Sequence, residues 1–306
     1  LQVHPRRTRY YRVSRPGELP SPERHLEQTL AQWRQWRCEA DLPGSPHLEH
    51  RLDGGLSNHN FLVRAAHLLF VVRIDGINPN HHGLSRQVEF RALESAAEAG
   101  IAPHPCYFNP ELGALVCEYL APDQSQASTP IDVARLCQHI HALPHRRHRL
   151  DLDARIRRYT ALLKRTGKPL PETDLTSGID QLLPQCETSN PVLCHNDLLP
   201  ANLLRSGDRL YALDWEYCAM GNRWFDLAVA ADGQGYSDES REIFLHTYLE
   251  RMPVEKDWQQ LQWHRIIYRY LELLWHLVQA GEESSQQILV ERQTLLGDML
   301  SQALPG

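Results

Sequence analysis

One stretch near residue 200 combines polar residues at a fixed spacing with a short apolar run, and it restricts the fold more than any other part of the chain. His195, Asp197 and Asn202 stand in the order H-x-D-x-x-x-x-N. Asp214 follows the apolar run at residues 210–213, and this run predicts a strand. A strand that brings Asp214 into register with the loop distinguishes the pattern from an ordinary loop, in which Asn and Asp only make turns.

These residue types suit phosphoryl transfer from ATP. That reaction needs an aimed acceptor hydroxyl, a metal ion on the phosphates, and stabilisation of the spreading negative charge. Asp197 is the candidate base that accepts or orients the hydroxyl proton. The amide oxygen of Asn202 and the carboxylate of Asp214 are hard oxygen ligands of the kind that Mg²⁺ takes. We expect His195 to serve the catalytic loop by hydrogen bonding rather than by transferring a proton.

The same stretch resembles the core of the bacterial choline kinase family. Protein kinases use H-R-D-x-x-x-x-N and a later D-F-G, and Trp215 here replaces the Phe. The segments LCHNDLLPANLL and ALDWEYCAMGNRWFDLA are similar to the choline/aminoglycoside kinase group, which includes thiamine kinases. GGLSNHNFLVR, FVVRIDG, LVCEYL and YLELLWHLVQAG extend the resemblance over about residues 52–281. The resemblance implies ATP and Mg²⁺ as cofactors.

The order of predicted elements is that of a protein-kinase-like fold of the α+β class. Helical periodicity and end signals predict helices at residues 22–37, 84–99, 131–143, 153–165, 237–251, 256–280 and 284–303. Strands are predicted at residues 50–56, 60–65, 68–74, around 107 and at 115–120. We expect a small N-terminal lobe at residues 1–119, with an antiparallel sheet plus helix, and a larger, mostly helical lobe at residues 120–306.

The loop DGGLSN at residues 53–58 is expected to bind the phosphates of the nucleotide. Glycines such as Gly55 let backbone N–H groups approach phosphate oxygens. Ser57 and Asn58 add side-chain donors. A plain hairpin turn is the alternative reading of this segment.

Three further positions are expected to hold the nucleotide. Arg73 closes a predicted strand where kinases place the phosphate-binding Lys, and the resemblance implies that Arg is normal there; Arg is a permanently charged phosphate partner. Glu89, on the following helix, is expected to pair with Arg73 as the Lys–Glu pair does in kinases. Glu118 and Leu120 belong to the expected hinge, which offers backbone groups to adenine.

Aromatic residues in the second half of the chain suggest the acceptor site. Five of the seven tryptophans lie after Tyr211, and aromatic faces bind quaternary ammonium groups through cation–π attraction. The resemblance ties Trp275 to the acceptor pocket. The other expected acceptor-binding residues, besides Asp197, are Glu216, Tyr217, Trp224 and Glu272. A helix core is the alternative role for these aromatics.

Bulk properties narrow the class of protein. The net charge of −6 argues against nucleic-acid binding. No apolar run reaches the roughly 18 to 20 residues of a membrane helix. The seven cysteines lack a C-x-x-C pair, which suits a reducing cytoplasm.

The sequence therefore predicts an ATP-dependent kinase that phosphorylates a hydroxyl of choline or a related amino alcohol. A thiamine kinase or an aminoglycoside or sugar kinase of the same fold is one alternative. A non-catalytic nucleotide-binding scaffold protein is the other.

Overall fold

The computed structural model describes residues 21–52, 58–76, 84–123, 127–279 and 282–304. The chain divides into two compact units, with boundaries after Ile77, Pro105 and Cys117. Each unit has its own hydrophobic core. The helix at residues 86–98 belongs to the larger unit. The lobe boundary expected near residue 119 stays a prediction.

The smaller unit is built on an antiparallel five-stranded sheet with the strand order β1-β2-β3-β5-β4. Its strands are β1 (His47–Leu52), β2 (Asn58–Ala65), β3 (Leu68–Asp75), β4 (Pro105–Asn109) and β5 (Ala114–Glu118). All five strands expected from the sequence are present, and β3 is the central one.

The side chains of β2 and β3 alternate between a face of the sheet that packs in the core and the opposite face. Phe61 pairs with Val72 and Val63 pairs with Phe70, and all four side chains lie in one apolar cluster. Successive side chains of a strand point to opposite faces. Arg73, next to Val72, is therefore on the face away from this cluster.

The first helix, α1 (Pro22–Ala31), covers the core face with Leu26. The Ser21 hydroxyl accepts a hydrogen bond from the Arg24 N–H and Pro22 stands at the first helical position, two signals that begin a helix. The helix is shorter than the predicted range of 22–37. It ends at Gln32, where a 3₁₀ turn, Trp33–Gln35, replaces the last predicted part.

The larger unit is mostly helical. Its helices are α2 (Arg86–Glu98), α3 (Pro130–His141), α4 (Leu152–Thr166), α5 (Thr173–Leu182), α6 (Arg223–Gly233), α7 (Asp238–Leu249), α8 (Glu255–Gln279) and α9 (Glu282–Ala303). Two short antiparallel pairs interrupt them: β6 (Val192–Cys194) with β9 (Ala219–Gly221), and β7 (Leu203–Ser206) with β8 (Arg209–Ala212). Every helix within the described residues is too short or too polar to cross a lipid bilayer.

Two helices of this unit, α5 and α6, were not predicted. Helix α6 is buried over most of its length, so it lacks the polar face that makes a helical period visible. Helix α5 does carry the period, with Leu175, Ile179 and Leu182 buried, but it is short and contains Gly178. A Cβ at Gly178 would lie 3.0 Å from a methyl carbon of Leu300, so this glycine permits close packing of α5 against α9.

A buried histidine in α8 makes the stability of the larger unit depend on pH. His264 is fully buried, and its Nδ1 donates a hydrogen bond of 2.7 Å to the Gln260 carbonyl. Burial lowers the pKa of His264 to about 4, against the weaker raising effect of nearby backbone carbonyls. Between this pKa and the ordinary value near 6.5, the unfolded chain binds a proton that the folded protein excludes.

We therefore expect the unfolding free energy to fall on acidification from pH 7 to pH 4, and to fall less in His264→Gln. The difference between the two proteins should be on the order of 2–3 kcal/mol. Urea unfolding at several pH values measures it, and the exposed His145 provides the control variant His145→Gln. An unchanged pH dependence in His264→Gln would contradict the prediction.

Candidate active site

The catalytic loop runs from the end of β6 to a 3₁₀ turn, Pro200–Asn202. Within it, Nδ2 of Asn202 donates to Oδ2 of Asp197 over 2.8 Å and to the Asp197 carbonyl over 2.9 Å. The amide of Asn202 thereby fixes both the backbone and the carboxylate of Asp197. The Oδ1 atom of Asn202 takes no part in these two hydrogen bonds.

The backbone joins this loop to the strand that precedes Asp214. The Leu213 N–H donates to the Asn202 carbonyl over 2.8 Å. Asp214 itself has the left-handed backbone conformation, with φ 58°, and begins the 3₁₀ turn Trp215–Tyr217. A chain in this conformation turns sharply, so Asp214 leaves the strand beside the loop, as the sequence spacing predicts.

Asp197 is electrostatically unusual. Burial raises its pKa to about 8, with further contributions from Asp214 and then Glu216; the hydrogen bond from Asn202 and the charge of Arg155 oppose the rise. Carboxylates that repel one another in this way shift the pKa upward. A divalent cation beside them would relieve the repulsion.

The residues expected to hold Mg²⁺ fit such an ion. Asn202 would offer its amide oxygen, because its nitrogen already donates to Asp197. Asp214 would offer its carboxylate, and it lies near enough to Asp197 to raise that residue's pKa. An amide oxygen and a carboxylate are ligands that Mg²⁺ takes while keeping several waters.

A buried carboxylate behind the loop anchors it. Asp226 accepts hydrogen bonds from the backbone N–H of His195 over 3.0 Å and of Asn196 over 2.7 Å. Nε2 of His141 donates to the same carboxylate over 3.0 Å. Burial alone would raise the pKa of Asp226, but His141, His195 and the loop N–H groups outweigh it and lower that pKa.

Trp224 and Asp226 are both helical. Both residues lie in the first turn of α6, which begins where the Asn222 side chain accepts from the Trp224 N–H. A helix N-terminus favours a negative charge. The position of Asp226 therefore supports its ionised state as well as its contact with the loop.

The buried side chain of His195 helps to order the loop. Its side chain is fully buried, and Nε2 donates to the Leu213 carbonyl over 3.0 Å. Its ring meets Trp215 edge to face, with 4.8 Å between the ring centroids. Burial lowers the pKa of His195 to about 4. The neutral imidazole thus joins the loop to the strand before Asp214.

The residues expected to bind the nucleotide are distributed over both units. Asn58 begins β2 and is buried, whereas Gly55 and Ser57 lie outside the described residues. Arg73 pairs with Asn60 across β2 and β3.

On the larger unit's side of the boundary, Glu118 ends β5 and donates its N–H to the His104 carbonyl over 2.9 Å. Leu120 is partly buried two residues later. Glu89 is buried on α2. Its expected pairing with Arg73 stays a prediction.

Two arginines that the sequence reading overlooked contact the turn after Asp214. Nη1 of Arg86 donates to Oε2 of Glu216 over 2.9 Å, and both side chains are buried. The Cζ of Arg155 lies 5.4 Å from the centroid of the Tyr217 ring. Glu216 and Tyr217, both expected to contact the acceptor, therefore have arginine partners of their own.

Of the residues on α8 that are expected to bind the acceptor, Glu272 lies among basic side chains. Glu272 forms ion pairs with Arg269 at 3.1 Å and Arg292 at 2.6 Å, and His276 lies 3.9 Å away. Burial would raise the pKa of Glu272, but His276, Arg292 and Arg269 lower it to about 2. Trp275 is partly buried against the core of the larger unit.

Some of these partners were visible in the sequence. Arg269 stands three residues before Glu272, a spacing that brings side chains together on a helix. Arg86 stands three residues before Glu89 in the same way. The contacts of Arg292 with Glu272 and of Arg86 with Glu216 join residues that are not helical neighbours. No local spacing in the sequence predicts them.

The sequence and structure were compared with known proteins. Residues 49–264 match the model of the phosphotransferase enzyme family. The chain belongs to this family. It is 25% identical over 243 residues to Protein LicA of Haemophilus influenzae, covering 72% of this chain and 70% of that protein.

Two solved structures share the fold. The choline kinase LicA of Streptococcus pneumoniae has a TM-score of 0.71 and 22% identity, covering 92% of this chain and 99% of its own. A choline/ethanolamine kinase family protein of Mesorhizobium loti has a TM-score of 0.68 and 21% identity, covering 92% and 100%. The resemblance drawn from the sequence and the predicted α+β, protein-kinase-like fold are confirmed.

The anchoring role of Asp226 predicts a large stability effect. Asp226→Asn exchanges an ionised acceptor for an amide that cannot accept from both N–H groups and from His141. We expect a loss of about 2–4 kcal/mol in unfolding free energy, measured by urea unfolding. Asp180→Asn, an exposed change of the same chemistry, should stay within about 0.5 kcal/mol. Equal effects of the two substitutions would rule out the anchor.

Proposed function

We propose that this protein is an ATP-dependent kinase that transfers the γ-phosphate to a hydroxyl of choline or a related amino alcohol. The observation that carries the proposal is the carboxylate of Asp197, held by Asn202 beside a second carboxylate, Asp214. This arrangement provides a base and an adjoining metal site, which are the two parts that phosphoryl transfer requires of the protein. The membership of the phosphotransferase enzyme family supports it.

Each residue has a distinct role in the proposal. Asp197 accepts or orients the proton of the acceptor hydroxyl. Asn202 and Asp214 hold Mg²⁺, which when bound neutralises charge on the phosphates. Arg73 clamps the phosphates, and Asn58 at the start of β2 adds a side-chain donor.

The acceptor is proposed from the aromatic and acidic residues of the larger unit and from the named activity of two structural relatives, a choline kinase and a choline/ethanolamine kinase family protein. Glu216 and Glu272 both carry arginine partners. A polycationic aminoglycoside would require several carboxylates without such partners. Trp275 instead offers an aromatic face, which suits a single quaternary or primary ammonium group, whereas the Tyr217 ring already has Arg155 beside it.

The proposed location is the cytoplasm. ATP is available there, and the scattered, odd number of cysteines suits a reducing compartment. ATP and a small alcohol are the proposed partners.

Removing the base tests the reaction directly. Asp197→Ala should lower kcat by about 10²–10⁴-fold, the usual contribution of a positioned base, while ATP binding and thermal stability persist. Asp208→Ala, in the exposed turn between β7 and β8, is the matched control. Full turnover by Asp197→Ala would refute its role.

A coupled assay of ADP release, run with the wild-type protein on a panel of alcohols, identifies the acceptor. Choline or ethanolamine should give the highest kcat/KM among choline, ethanolamine, thiamine, aminoglycosides and amino sugars. Preference for thiamine or an aminoglycoside would replace the proposed acceptor. ATP binding without transfer to any alcohol would favour a scaffold role.

Trp275 supplies a second prediction about the acceptor. Trp275→Ala should raise the KM for choline roughly 3–30-fold, the range that corresponds to losing one cation–π contact. The KM for ATP should change little, and Trp275→Phe, which keeps an aromatic face, should retain most of the affinity. An unchanged choline KM in Trp275→Ala would assign Trp275 to the core alone.

A further inference from the structure

A buried arginine joins helix α2 to the turn that follows the proposed metal ligand. Arg86 is the first residue of α2, directly after Ser85, whose hydroxyl caps the helix by accepting from the Val88 N–H. Nη1 of Arg86 donates to Oε2 of Glu89 and to Oε2 of Glu216, each over 2.9 Å. The three side chains are 7%, 3% and 2% exposed.

The chemistry of arginine suits this junction. A guanidinium is permanently charged and presents several N–H donors in a fixed plane, so one side chain can serve two carboxylates. Buried charges require partners, and removing one partner leaves the others poorly compensated. Arg86 therefore helps to hold Glu216 in its buried position.

Glu216 lies in a turn that is held from two further sides. The indole N–H of Trp215 donates to the Ala212 carbonyl over 3.0 Å. Nδ2 of Asn196, in the catalytic loop, donates to the Tyr217 carbonyl over 3.0 Å. The contact of Arg86 with Glu216 joins the same turn to helix α2. The same turn begins at Asp214.

We propose that Arg86 is a positioning residue for the metal site: through Glu216 it fixes the turn that carries Asp214. The inference rests on the proposed function, because it takes Asp214 as a Mg²⁺ ligand. Residues that orient a metal ligand without touching the metal commonly change metal affinity by about 10–100-fold when they are replaced.

Helix α2 offers a matched control because a second arginine holds its other end. Nη2 of Arg146 donates to the Arg91 carbonyl over 3.2 Å and to the Ser95 hydroxyl. Neither contact involves the turn after Asp214. Replacing Arg146 therefore loosens α2 without touching Glu216, whereas replacing Arg86 affects both.

The experiment compares Arg86→Met, Arg86→Lys and Arg146→Met with the wild type. The Mg²⁺ concentration for half-maximal rate is measured with saturating ATP, and binding of Mn²⁺ in the presence of ADP is measured by electron paramagnetic resonance. Arg86→Met should weaken both by about tenfold or more and lower kcat. Arg86→Lys, which keeps the charge and one contact, should give intermediate values.

Arg146→Met should lower thermal stability with Mg²⁺ dependence and Mn²⁺ binding unchanged. If Arg86→Met folds too poorly to assay, Arg86→Lys carries the test, and wild-type metal affinity in that variant would overturn the proposal. Wild-type metal affinity in folded Arg86→Met would overturn it as well. An equal loss of metal affinity in Arg146→Met would show that Arg86 stabilises α2 in general and has no specific role at the metal site.

The two proposals fail in different ways. A wild-type protein that phosphorylates no alcohol, but whose Mn²⁺ binding weakens in Arg86→Met, would retain the positioning role and reject the kinase activity. An active kinase whose Arg86→Met variant keeps wild-type Mg²⁺ and Mn²⁺ affinities would do the reverse.

Discussion

The arrangement of the catalytic loop depends on one buried carboxylate, that of Asp226. An ionised group without access to water is stable only when donors surround it, and here two loop N–H groups and the His141 imidazole supply them. Those N–H groups belong to His195 and Asn196, the residues just before Asp197. The Asp226 carboxylate therefore determines the backbone path directly before Asp197, the proposed base, although Asp226 has no part in the proposed chemistry.

The proposed metal site follows from this fixed loop. The His195 side chain and the Asn202 carbonyl both bond to the backbone of Leu213, which joins the loop to the residue that follows β8. Asp214 comes next and must lie near Asp197. Burial, and then the repulsion between the two carboxylates, raises the pKa of Asp197, which is unfavourable for the protein alone. The fold thus maintains an acidic pair whose strain a bound divalent cation would relieve.

The sequence was sufficient wherever the relevant residues are close together in the chain or share a regular period. The catalytic loop, the strand before Asp214 and the long helix α8 are of this kind. Helix α6 was missed because it is buried on nearly all sides, which removes the contrast between apolar and polar faces. The link between Arg86 and Glu216 spans 130 positions. Only the folded chain shows that a carboxylate expected to contact the acceptor is held by an arginine.

Such arginine partners change how the acceptor site must recognise a cation. Glu216 and Glu272 both pair with guanidinium groups, and a carboxylate shared with a fixed cation attracts a second cation less strongly. Attraction by an aromatic face depends on the ring quadrupole and does not require an uncompensated acid. A pocket that relies on Trp275 can therefore bind one ammonium group while its carboxylates serve the protein's own structure. Because the carboxylates are paired with arginines, the site disfavours acceptors that carry several positive charges.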